Sequence, residues 1–175
     1  MQWLMDAFEA VRDFLELGGP VLTLIGWTIF AMWILIVERL MYFRTGLQQL
    51  GRSVRENWEA RPERRSWAAH RIREQLISEF SMAANQAVPI IQTLVALCPL
   101  LGLMGTVTGM IEVFDVMALS GSGNARSMAS GVSKATIPTM AGMVGALSGV
   151  FLVTLLTRTV AREVENLEDD LGMDH

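Results

Sequence analysis

The chain has 175 residues, 51% of them hydrophobic, with a net charge of −4 and a mean hydropathy of +0.37. One cysteine, Cys98, excludes an intramolecular disulfide, and the two histidines, His70 and His175, have no zinc or haem spacing around them, so neither a metal nor a cofactor is expected. The charge is uneven: residues 18–37, 87–111 and 135–157 hold no charged side chain, and each run meets the ~20-residue length of a membrane-spanning helix. The expected fold class is therefore all-α, a polytopic membrane protein with three transmembrane helices; the competing reading is a soluble helical bundle with an unusually apolar core.

Residues 1–17 carry one Arg and four acids, the reverse of a secretory leader. Leu4, Phe8, Val11 and Leu15 recur at helical spacing, which predicts a short amphipathic helix along the membrane–water interface, ended by Gly18-Gly19-Pro20. The first span is expected at 18–39. Its many large side chains (Trp27, Phe30 and Trp33 among them) point to a lipid-facing helix with Glu38 and Arg39 at its inner end. Residues 40–86 predict a helical hairpin turning near Ala60–Arg65, and its returning helix is expected to run unbroken into the second span, 87–115. A flexible loop follows at 116–130, containing Ser120-Gly121-Ser122-Gly123-Asn124. The third span, 131–158, is expected to continue into a helix over 159–175, where Val160, Val164, Leu167 and Leu171 form an apolar stripe suited to packing with other copies of the chain.

Orientation follows from the positive charges. Residues 39–73 hold nine Arg, the C-terminal segment adds Arg158 and Arg162, and the other side has only Arg12 and Arg126. Positive residues stay in the cytoplasm, which places the N-terminus and the 116–130 loop outside and residues 40–86 and the C-terminus inside. Glutamates interleave the arginines and no stacking platform accompanies them, so nucleic acid is not an expected partner.

The second and third spans carry small and hydroxylated residues where a simple anchor would carry leucine. Pro99, Gly102, Thr106 and Gly109 fall on one helical face, with Gly105 forming a second small pair with Gly109; on the third span Ala141, Gly145 and Gly149 repeat every four residues. Such residues let helix backbones approach closely. Thr106 and Thr139 lie at matching depth and are candidates for a shared polar surface, although each hydroxyl could instead bond its own helix. Glu112 and Lys134, the only lysine, stand at the outer ends of these spans as a candidate charge pair shaping a pore mouth, or Lys134 simply reaches the interface. No ionisable residue lies deep in a span, so any proton crossing here needs a titrating group from a partner. Nucleophile–base pairs, metal sets and phosphate loops are missing, and an enzyme is not expected.

The run from Pro99 to Gly109 (Pro-Leu-Leu-Gly-Leu-Met-Gly-Thr-Val-Thr-Gly) resembles the signature of the ExbB/TolQ/MotA proton-channel family, as does the stretch from Gly131 through Lys134 and Thr139 to Gly142. The short length is most similar to ExbB subunits of the second kind of TonB system. The resemblance implies a pentameric ring in the inner membrane of Gram-negative bacteria, with long helices extending into the cytoplasm. It implies a pore lined by the second and third spans with Thr106 and Thr139 facing it, an ExbD-like single-span partner bringing a proton-carrying aspartate, and a TonB-like protein passing work to outer-membrane uptake. Two departures stand out. An acid is usual in the family where Lys134 aligns. The Ile-Pro-Ala usual in mid-span is replaced by Ala146-Leu147-Ser148-Gly149, with a proline earlier, at Pro138. The alternatives are a TolQ-like subunit for envelope integrity, or a non-conducting membrane scaffold; a flagellar stator would need a fourth span.

Overall fold

In the computed structural model the described residues are 2–63, 66–120 and 125–172, and all their regular structure is helical. Helix α1 covers Gln2–Glu59, α2 Trp67–Asn85, α3 Val88–Ser120 and α4 Ala125–Asp170. Three stretches, Gly18–Glu59, Trp67–Leu119 and Met128–Asp170, are long and apolar enough to cross a membrane.

Three helix ends have local causes. Gly19 sits at φ 66°, ψ −164°, which breaks the α1 ladder; only glycine adopts that backbone without strain, and Pro20 then starts the next segment with a ring already set to helical φ. Among the predicted amphipathic residues, Leu4, Phe8 and Leu15 lie outside the described side chains, and Val11 is exposed. The expectation of an unbroken helix from the hairpin into the second span is corrected: α2 ends at Asn85, and α3 starts at Val88 after a turn at Gln86–Ala87. The cause is Pro89, which offers no N–H to the Asn85 carbonyl and crowds the preceding turn. Between the second and third spans the expected loop is too wide. Residues 116–120 and 125–130 are helical, and no glycine or proline stands between Met110 and Ser120 to stop α3 earlier; residues 121–124 lie outside the described set.

The chain divides into two compact units. The first gathers the described residues up to Trp33 with Thr93–Val150. Leu22, Ile25 and Met32 of α1 are buried here, whereas Trp27, Phe30 and Trp33 face outward. The second gathers Ile34–Gln92 with α4 from Phe151 onward. Its core joins Leu47, Val54, Trp58, Ala69, Phe80, Ala84, Val160, Leu167 and Leu171. The Val160–Leu171 stripe is therefore covered within the chain by α1 and α2, not left free for other copies as its pattern alone implied. The end of α4 is also held: Arg73 donates to the carbonyls of Leu171 and Glu168, both at 2.7 Å, and Trp58 Nε1 donates to Gly172 at 3.3 Å. These bonds satisfy carbonyls that a helix C-terminus leaves without partners. Arg39 does similar work at α2, lying over the Tyr42 ring and donating to the Ala83 carbonyl at 3.5 Å.

Candidate functional site: the α3–α4 seam

In the first unit, α3 and α4 touch along a line of small residues. The buried positions on α4 are Ala135, Pro138, Gly142, Gly145, Ala146 and Gly149; on α3 they include Cys98, Gly102 and Gly105. A methyl group at Gly142 would stand 2.5 Å from the Cys98 carbonyl oxygen, and one at Gly102 2.9 Å from the Thr139 Cα. One at Gly109 would meet the Ala135 Cα at 2.8 Å. Backbone therefore packs on backbone, the arrangement small residues allow. Gly145 faces α1 instead, against Ile29, and Gly149 sits between Val95 of α3 and Met32 of α1.

The face is rotated slightly from the spacing-of-four pattern. Gly142, Gly145 and Gly149 alternate three and four along the buried line, while Ala141 and Pro99 are half-buried at its edge. A repeat of four drifts off a 3.6-residue turn, and an alternation of three and four stays on it. Gly142 was not among the predicted packing residues; the signal was its place in that alternation.

The two threonines differ. Thr139 Oγ1 donates across the seam to the Gly102 carbonyl at 2.9 Å. Thr106 is half-buried and its Oγ1 bonds back to Leu103 at 2.7 Å within α3. The hydroxyls do not bond each other. Thr108, not singled out from sequence, bonds back to Met104 and Gly105, both at 3.1 Å. Beside these groups the exposed surface is apolar: Leu103, Val107, Met140, Val144 and Leu147.

Above the seam lies a cavity of about 420 Å³ lined by residues of α1, α3 and α4. Glu112 and Lys134 both line it and both are exposed. Among the described residues no ion pair joins them, and no group of His, Cys, Asp or Glu could hold a metal.

Comparison with known families matches residues 38–169 to the MotA/TolQ/ExbB proton channel family, a stretch covering α2, α3 and nearly all of α4. The chain belongs to this family. Among curated proteins it is 37% identical over 79 residues to the biopolymer transport protein ExbB-like 1 of Synechocystis sp., covering 43% of this chain and 31% of the relative. It is 35% identical over 89 residues to the biopolymer transport protein exbB1 of Vibrio cholerae, covering 50% of this chain and 39% of the relative. The matched stretch thus spans well under half the length of these relatives. The MotA/TolQ/ExbB family is one of proton channels rather than a known family of enzymes, and the chain has three stretches long and apolar enough to cross a membrane.

Proposed function

We propose that the chain is the ring-forming subunit of an inner-membrane proton motor. Five copies surround a pore walled by α3 and α4, with Thr106 and Thr139 on the pore side. The N-terminus lies in the periplasm, and the arginine-rich hairpin and the C-terminus lie in the cytoplasm. The observation that carries the reading is the family match over residues 38–169. The hydroxyls on a tightly packed helix pair support it. So does the lack of any Asp, Glu, Lys, Arg or His in residues 87–111 and 135–157: a chain without a carboxylate at membrane depth needs one from elsewhere to carry protons. An ExbD-like single-span partner supplies it, and a TonB-like protein carries the resulting work to outer-membrane uptake. The matched relatives named as biopolymer transport proteins favour this output over a TolQ-like role in envelope integrity.

The test is proton flux into liposomes holding the full chain with its single-span partner. Thr106→Val is expected to remove most of the flux and Thr106→Ser to keep it, with assembly unchanged in both. Full flux through Thr106→Val would remove Thr106 from the proton path, and no flux through the unmodified complex would leave the scaffold reading.

A further inference from the structure

The cavity above the seam has an unusual charge arrangement. Glu112 is the first charged residue after the apolar run of α3, and Lys134 is the last before the apolar run of α4. In a chain that crosses a bilayer, both stand where the hydrocarbon ends and headgroups begin. Opposite charges on one cavity wall would ordinarily pair, yet these two line the same space without an ion pair between them. Pro138, in the same wall, has no N–H, so the Lys134 carbonyl lacks the donor that normally reaches it from four residues on. The cavity therefore presents a cation, an anion and a backbone acceptor one helical donor short. The walls beside them are apolar: Val21, Val113, Val116 and Met117.

We propose that this cavity binds the headgroup of a zwitterionic phospholipid bearing a primary amine. Lys134 takes the phosphate, and Glu112, with the Lys134 carbonyl, takes the ammonium. The valines and Met117 cover the glycerol and the first methylenes of an acyl chain. Charge balance sets the selectivity. Phosphatidylethanolamine leaves neither side chain unpaired. Phosphatidylglycerol brings an anion to Lys134 but no cation to Glu112, which its hydroxyls can only hydrogen-bond and which its net negative charge opposes. Phosphatidylcholine brings a cation that donates no N–H hydrogen bond. The glycine break at Gly18-Gly19 is part of the site, since these residues form one side of the cavity.

The experiment is native mass spectrometry of the full chain in detergent, after exchange with each of the three lipids in turn, counting lipids retained per protomer. Retention of phosphatidylethanolamine is expected to exceed that of phosphatidylglycerol by roughly two- to fivefold, the range that one partly solvated ion pair sets. Glu112→Gln is expected to erase that preference, and Lys134→Gln to lower retention of both lipids. The double exchange Glu112→Lys with Lys134→Glu is expected to restore the preference, which a general loss of folding would not do. Equal retention of the three lipids by the unmodified chain overturns the proposal without any variant. Displacement of the lipid by free O-phosphoethanolamine at equal concentration overturns it too, because the apolar wall would then contribute nothing.

Discussion

At Gly142 the distance between α4 and α3 is set by a missing methyl group. A Cβ there would lie 2.5 Å from the Cys98 carbonyl oxygen, a rigid backbone atom. Gly142→Ala is expected to destabilise the chain by about 1–3 kcal/mol through overpacking, read as a lower unfolding temperature in mild detergent. In an open helix interior the same change would stabilise by up to about 1 kcal/mol, so the sign of the shift reports the contact. Thr139 makes the complementary case. Its hydroxyl crosses to the Gly102 carbonyl, and Thr139→Val is expected to cost about 0.5–1.5 kcal/mol, with Thr139→Ser close to the unmodified chain. A Thr139→Val variant as stable as the parent would mean the bond adds nothing. The residue types were legible in the sequence, since glycines and threonines in an apolar helix need a reason. Their partners were not: the pattern offered Thr139 as a companion of Thr106, and the structure gives it the backbone of Gly102.

At the scale of the element, the prolines decide more than the apolar periodicity does. Pro89 separates α2 from α3 by withholding one N–H, whereas Pro138 sits inside an uninterrupted α4. Pro138 is buried against Gly105, and Val21 meets the same side of that glycine, so packing keeps α4 continuous where propensity alone would weaken it. Pro89→Ala is expected to join α2 and α3 into one helix, visible as slower amide hydrogen exchange at residues 86–89. Unchanged exchange there would assign the break to tertiary packing instead. The spans could be placed from hydropathy, and the hairpin turn expected near Ala60–Arg65 falls in the interval between α1 and α2. The unbroken run into the second span failed because a proline near a helix start reads as harmless, and here it follows another helix too closely.

For the whole molecule, the telling quantity is how little apolar surface the chain covers by itself. In the most apolar stretch of each spanning helix only 28%, 33% and 33% is buried within the chain. Leu100, Leu103, Met140, Val144 and Leu147 remain exposed on α3 and α4, and lipid or other chains must cover them. The α3–α4 surface combines these side chains with half-buried Thr106, a mixture better suited to protein neighbours than the Trp27, Phe30 and Trp33 surface of α1. The purified chain is expected to run as an oligomer in mild detergent by light scattering with detergent correction, and a monomer across the micromolar range would remove the ring from the proposed function.

Hydropathy, charge distribution and the glycine–threonine content determined by themselves that this is an all-helical membrane chain with three spans, because the cost of leaving backbone or charge unsatisfied in hydrocarbon leaves few other solutions. They also carried the family resemblance, which the match over residues 38–169 bears out. The tertiary structure decided which side of each small-residue helix is buried, that the Val160–Leu171 stripe is covered from within the chain, and that Glu112 and Lys134 share a cavity without pairing. The physical reason is range. Spans depend on sums over some twenty neighbouring residues, whereas a helix face is a matter of tens of degrees of rotation and a contact a matter of tenths of an ångström, and both are settled only when several helices pack at once.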